Sequence, residues 1–185
     1  MPRTSPFKSD CLSNKIALVT GGGSGICYEI TKQLLLHGCF IVVICGRREN
    51  FLKKAAQSLN ALPCQGQCFY ITCDVRKPEQ CERAVQFAVN KSATKSIDIL
   101  VNGAAGNFLA TAETLKPKGF KTVMEIDALG TFQMCHAAYP FLKRGRDSMN
   151  TSIIINISAT LQYGATWFQC HASAAKSAGA CFLKF

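Results

Sequence analysis

The residues best suited to chemistry stand at the ends of short apolar runs. "KIALVT" (15–20) leads into "GGGSGIC" and then a helical pattern, so a glycine-rich turn lies between a strand and a helix. In that setting Gly21, Gly22, Gly23, Ser24, Gly25 and Ile26 can bring backbone close to a pyrophosphate and aim the first N–H groups of the helix at it. A tight turn without a ligand is the alternative. "FIVVICG" (40–46) ends in Arg47 and Arg48, and the first carboxylate, Glu49, comes only after both. A carboxylate there would suit the ribose 2′-hydroxyl of NAD, whereas arginine suits the 2′-phosphate of NADP. Two solvated arginines at a helix start would read the same way. "QCFYITCDVR" ends in Asp74, suited to an adenine amino group, with Arg76 beside it. "SIDILVNGAAGNF" runs through Asn102 into small residues that leave room for a flat ring and a ribose. The expected cofactor is therefore NADP(H), with Asn102 counted among its contacts. One more group stands out: Lys176, alone in the small-residue run "HASAAKSAGACF".

The elements that must position these residues alternate. Strand patterns are read at 15–20, 40–46, 67–75, 96–106 and 152–158. Helix patterns are read at 25–38, 48–62, 77–93 (with Pro78 near its start), 119–145 and from His171 onward. The strands are apolar on both faces, which predicts an α/β fold: a doubly wound, Rossmann-like parallel sheet with helices on both sides. In such sheets ligands bind beyond the carboxyl ends of the strands, where the residues named above cluster. Residues 1–13 read as an extension before a dinucleotide-binding domain over 14–185.

Composition narrows the class. Of 185 residues, 48% are hydrophobic and 17% charged, a globular balance. No apolar run approaches the roughly 18 residues of a membrane span, and the first fifteen residues lack the apolar core of a secretory signal. The eleven cysteines are odd in number, scattered, and never spaced C-x-x-C. They read as reduced thiols rather than a disulfide framework, and the pair Cys64 and Cys68, without a nearby histidine, is a poor zinc signature, so no metal is expected. The formal charge of +10 admits nucleic acid, a phosphorylated small molecule or a solubilising surface. The basic residues are spread along the chain rather than striped, which argues against nucleic acid.

Taken together, "TGGGSGI", "DVR", "IDILVNGAAGNF", "IDALGTF" and "IINISAT" with "HASAAK" resemble the short-chain dehydrogenase/reductase family, over about residues 14–178. "AAGNF", "FKTVMEIDALGTF" and "SATLQYGATWFQCHASAAK" resemble its 2,4-dienoyl-CoA reductase branch, of the peroxisomal, plant-like type. The wider family uses an Asn, Ser, Tyr and Lys tetrad. Here only Lys176 remains: Ala172 stands at the tyrosine position, Ala159 at the serine and Asp127 at the asparagine. Without a phenol, reduction of a plain ketone is not expected. The branch offers another chemistry, NADPH-dependent reduction of 2,4-dienoyl-CoA thioesters in β-oxidation of unsaturated fatty acids. Hydride added at the δ carbon gives a dienolate, which needs a donor for the thioester oxygen and an acid near the carbon skeleton. The resemblance implies Asn107 as that donor and Asp127 as acid/base. Asp127 lies in an otherwise apolar segment, where desolvation would raise its pKa; a carboxylate bonded to backbone or to Lys176 is the structural alternative. Lys176 is implied to hold the nicotinamide ribose, and Phe108 and Arg76 to touch acyl-CoA.

Cys27 replaces the third glycine of the nucleotide motif and is expected to push the helix outward and weaken phosphate binding. Leu161 stands where mitochondrial relatives have a tyrosine, with Tyr163 two residues away. The family pattern continues beyond the lysine helix with two more strands. This resemblance implies a sheet incomplete at the C-terminus, an exposed fifth strand and little activity for these 185 residues alone. The second reading is a non-catalytic nucleotide-binding fragment that acts by association. The resemblance also implies a homo-oligomer for the full-length family and a peroxisomal location, although the chain ends without an SKL-type signal; otherwise a cytoplasmic one.

Overall fold

Runs of aliphatic and β-branched residues form five parallel strands in the computed structural model, which describes residues 5–142 and 151–181. They are β1 (Ile16–Thr20), β2 (Ile41–Gly46), β3 (Gln67–Thr72), β4 (Ile99–Asn102) and β5 (Ile153–Asn156), in the order β3-β2-β1-β4-β5. Helices α1 (Gly25–Leu36), α2 (Glu49–Asn60) and α3 (Pro78–Lys91) follow the first three strands. After β4 come α4 (Pro117–Met124) and α5 (Gly130–Leu142), and after β5 comes α6 (Cys170–Cys181). This is the doubly wound parallel sheet expected from the alternation. β1 and β4 are buried throughout, as is β2 up to Gly46, because side chains on both faces meet a helical layer. Leu18, Val43 and Leu100 pack with α3 and α5 on one face; Val19, Val42, Ile44 and Val101 pack with α1 and α2 on the other. β5 lies at the sheet edge among the described residues, with Ile153 52% and Ile155 40% exposed. This is the exposed fifth strand that the resemblance implied. Before β1, Leu12 N–H donates to His37 O (2.9 Å) and Ser13 bridges Cys39, which ties this segment to the end of α1.

Two expectations are corrected. The third and fourth strands are shorter than their apolar runs, because the chain leaves the ladder once no neighbouring strand continues; Cys73 N–H still reaches Gly46 O at 2.8 Å. The helix expected over 119–145 is not continuous. Between α4 and α5 the segment Glu125–Leu129 forms a π turn, closed by the Gly130 N–H reaching back five residues to Glu125 O. Such bulges recur at functional sites. Gly130 also fits closely, since a Cβ there would stand 2.6 Å from a methyl of Val75. The end of the expected helix, residues 143–145, and Phe182 of the last one lie outside the described residues.

One buried carboxylate joins the amino ends of the central strands. Asp98, 6% exposed, accepts the Ile16 N–H (2.8 Å) and pairs with Lys15 Nζ (3.3 Å). Asp98→Ala would leave the Ile16 donor buried and unpaired, at a cost of about 1–3 kcal/mol. A midpoint drop in urea unfolding at unchanged slope would confirm this, and an unchanged midpoint would refute it.

Candidate active site

The strand order reverses around β1. β2 carries the chain to one side and β4 to the other, so the segments leaving β1 and β4 part and leave a cleft above the sheet. Thr20, 1% exposed, anchors its floor: Oγ1 accepts the N–H groups of Gly103 and Ala104, both at 2.9 Å. The chain then turns at Gly21, which adopts φ +72°, and a Cβ there would lie 2.8 Å from Gly103 O. Only glycine meets both conditions.

The cleft, about 360 Å³, brings together most of the predicted cofactor residues. Gly21, Gly23, Ser24 and Ile26 form one wall, and Arg47, Arg48 and Asp74 the other. Gly22 packs instead toward Ile44, where a Cβ would be 2.6 Å from a methyl, and Gly25 opens α1 at φ +61°. Ser24 caps α1 without a side-chain bond to it, and the first turn holds no acid. Those first-turn N–H groups therefore have no carboxylate of their own, which fits an anionic ligand. Arg48 lies 4.0 Å over the Phe51 ring, a packing partner the sequence pattern did not single out.

Asp74 and Arg76 bind each other. Arg76 Nε reaches both carboxylate oxygens (2.9 and 3.1 Å), and a terminal guanidinium nitrogen adds a short contact. These bonds hold the Asp74 carboxyl below its usual range. The carboxylate expected at an adenine and the arginine expected at acyl-CoA thus engage one another at the end of β3.

A second hollow, about 40 Å³, is lined by Asp127 and Lys176. Asp127 sits in the π turn, 5% exposed. Its Oδ1 accepts Gly106 N–H (2.7 Å), and its Oδ2 pairs with Lys176 Nζ (3.2 Å). Lys176 also donates to Ile157 O (3.0 Å). Burial pushes the Asp127 carboxyl up, and the Lys176 charge and the Gly106 N–H pull it back. Asn102 lines this hollow rather than the larger cleft, with Nδ2 donating to Asn156 Oδ1 (2.9 Å). Asn102 Oδ1 and Asn156 Nδ2 are buried without a partner.

The loop after β4 continues from Gly106 to Asn107 and Phe108. Asn107 is exposed; its Nδ2 donates to Gln169 Oε1, and its Oδ1 accepts Phe108 N–H (2.9 Å). Phe108 stacks on His171 with ring centres 4.3 Å apart, and His171 Nε2 donates to Phe108 O (3.0 Å). Gln169 and His171 were not singled out in the sequence. Their signal is proximity to Lys176, one helical turn or two before it. Ala172 is 2% exposed, Ala159 is exposed and Tyr163 is 84% exposed.

Cys27 is accommodated by a complementary gap. It is 4% exposed, and its sulfur stands only 2.0 Å from where a Cβ on Gly103 would be. The glycine missing from the turn is matched by a glycine across the cleft floor, so the thiol fills space that residue 103 leaves open.

Two outcomes follow from this geometry. Gly103→Ala should destabilise the fold by about 1–3 kcal/mol through overpacking, and adding Cys27→Gly should restore most of that loss; additive thermal-melt effects would refute the complementarity. Lys176→Met should shift the Asp127 carboxyl titration to higher pH, because the opposing cation is gone. Carbon-13 NMR of that carboxyl would show it, and an unmoved titration would mean the ion pair does not set its charge.

The short chain dehydrogenase model matches residues 15–184. The chain is 49% identical over 178 residues to a peroxisomal 2,4-dienoyl-CoA reductase of Arabidopsis thaliana, covering 94% of this chain and 58% of that protein. It is 41% identical over 175 residues to the Danio rerio protein of that name, covering 95% and 56%. A short chain dehydrogenase from Mycobacterium smegmatis superposes with a TM-score of 0.87 at 25% identity, over 97% of this chain and 72% of that one. The chain thus spans rather more than half the length of the curated relatives it matches. With a matching family model, strand order and glycine-rich turn, the chain belongs to the short-chain dehydrogenase/reductase family.

Proposed function

We propose that this chain carries the cofactor site and the acid–base pair of an NADPH-dependent reductase of 2,4-dienoyl-CoA thioesters, with a peroxisomal location like that named for its relatives. One observation carries the reading: the site keeps a buried Asp127–Lys176 pair and has Ala172 where the wider family has its phenol. A site so built lacks the proton donor for a simple ketone but has a carboxyl whose affinity for a proton is raised by burial.

NADPH, when bound, supplies the hydride. Everything else falls to the side chains. Arg47 and Arg48 offer guanidinium groups to a 2′-phosphate at the cleft mouth, and the uncapped first turn of α1 receives the pyrophosphate. Lys176, held by Asp127 and Ile157 O, has one N–H left for a ribose hydroxyl. Asn107 uses one amide N–H on Gln169 and keeps the other for the thioester oxygen as negative charge develops there. Asp127 gives a proton to the carbon skeleton. Its link to Gly106 N–H places the Asn107 loop and the acid in one unit. The low exposure of Asp127 keeps bulk water from competing as the acid.

Fluorescence titration of the purified chain tests the cofactor half. NADPH should bind at least about tenfold tighter than NADH, and replacing Arg47 and Arg48 by Ala should remove that preference, since a charge-assisted pair is worth roughly 1.5–3 kcal/mol. Equal affinities in a folded, monodisperse sample would refute it. Asp127→Asn should retain NADPH binding but lose about a hundredfold or more in dienoyl-CoA turnover, the usual scale of general acid catalysis. Turnover undiminished in that variant would remove Asp127 from the mechanism.

A further inference from the structure

His171 is a polar side chain in a place where an apolar one would cost less. It lies on the first turn of α6 and is wholly buried, at 0% exposed. The carbonyl of Phe108 can only accept, so the ring nitrogen that meets it at 3.0 Å, Nε2, carries the proton. In the neutral ring Nδ1 is then a bare acceptor, and it is buried with no partner among the described residues. A polar atom so placed costs stability, and a phenylalanine there could stack on Phe108 without that cost. Packing alone therefore does not account for the imidazole. What the imidazole adds is an N–H for Phe108 O.

The neighbouring seam has a defined sense as well. Phe108 N–H donates to Asn107 Oδ1 (2.9 Å), so the Asn107 amide cannot turn round without setting donor against donor. Its Nδ2 is thereby aimed at Gln169, which must answer with Oε1. Gln169 is itself tied to the first turn of α6, its carbonyl accepting the N–H (2.9 Å) and the hydroxyl (3.1 Å) of Ser173. A third link, Ala110 N–H to Phe168 O (3.0 Å), closes the same stretch. Both backbone groups of Phe108 are thus committed, the N–H to Asn107 and the C=O to His171. Asn107 and Phe108 are exposed, where water competes for each hydrogen bond. His171 is the end of this series that water does not reach.

We propose that His171 and Gln169 are positioning residues for the reduction: they lock the Asn107 amide so that its second Nδ2 proton is presented to the thioester oxygen. The role in reduction rests on the reductase reading above, which puts Asn107 at that oxygen; the lock itself does not. The two residues restrain different freedoms. Gln169 stops the amide rotating on its own side chain. His171 holds the Phe108 peptide, and through its N–H the Asn107 Oδ1. A donor fixed before charge develops need not reorient in the transition state, so its benefit falls on kcat rather than on KM.

Two measurements test it, and the first needs no substrate. In nitrogen-15 NMR of the chain, His171 should carry its proton on Nε2. The Asn107 side-chain amide should be as rigid as ordered backbone, with an order parameter of about 0.85, and should fall below about 0.6 in His171→Phe or Gln169→Leu. A proton on Nδ1 instead, or a loose Asn107 amide in the unaltered folded chain, would overturn the proposal whether or not the variants fold. The second is a double-mutant cycle on dienoyl-CoA turnover. His171→Phe and Gln169→Leu should each lower kcat about ten- to a hundredfold, the scale of a misplaced reacting group, with KM and NADPH affinity nearly unchanged. His171→Gln, which can return an N–H to Phe108 O, should recover part of that loss. In an Asn107→Ala background the losses should vanish, because the residue they act through is gone. Equal losses in both backgrounds would mean a general structural role and would refute the assignment. A locked Asn107 amide in a chain that turns over no dienoyl-CoA upholds the lock and counts against the reductase reading instead.

Discussion

The divergence of the chain on the two sides of β1 is the constraint from which the site follows. A parallel sheet must return each strand through a crossover on one face or the other. Where the winding changes direction, between β2 and β4 on either side of β1, the segments leaving neighbouring strands cannot pack together. The opening is lined by backbone, and backbone there must be supported. Thr20 provides that support from inside the sheet, with one hydroxyl oxygen accepting two N–H groups of the β4 loop. Gly21 and Gly103 then approach so closely that neither tolerates a larger side chain without rearrangement.

A second constraint is electrostatic. A carboxylate buried as deeply as Asp127 is costly unless it is paired and hydrogen-bonded. Its partners come from distant parts of the chain: Gly106 from the β4 loop and Lys176 from α6, with Lys176 itself held by Ile157 just after β5. The π turn makes this convergence possible by interrupting the helix at the one carboxylate it carries inward. The ion pair therefore gathers the β4 loop, the inner helix and the last helix around one small hollow. The same loop passes through Asn107 and Phe108, which Gln169 and His171 hold from the approach to α6. Asp127, Asn107 and Lys176 are consequently one connected body, with two independent seams between the β4 loop and α6.

The thiols show how a soft interior can differ from place to place. Most of the buried cysteines act as small apolar side chains. Cys39, with its thiol bonded to Lys15 O and its proton affinity pushed up to about 12, is one such inert position. Cys27 uses its volume to fill the space above Gly103. Cys45, Cys73 and Cys81 fill the core face packed against α3.

Much was legible in the sequence because it is local. Strand–helix alternation, apolar strands and a glycine-rich turn at a strand end are written in neighbouring residues, and they led to the parallel sheet and to a cleft above β1. The family resemblance added Asp127 and gave a role to Lys176, and the sequence alone already suggested that an aspartate in an apolar segment would have its pKa raised. What sequence could not supply was distance across the fold. Asn102 and the glycines look like one set in the chain, yet the sheet places Asn102 in the smaller hollow with Asn156. Asp74 and Arg76 look like two separate ligand contacts, yet the turn closed by Lys77 N–H on Asp74 O lets them clasp each other. Cys27 reads as a defect until Gly103, seventy-six residues away, is found opposite it. The continuous helix pattern over 119–145 hid the π turn, because periodicity reports which residues are apolar and not whether a hydrogen bond closes over four residues or five. Composition and period decide the elements; only their packing decides which polar groups meet, because hydrogen bonds and ion pairs act over a few ångströms in space whatever the separation along the chain.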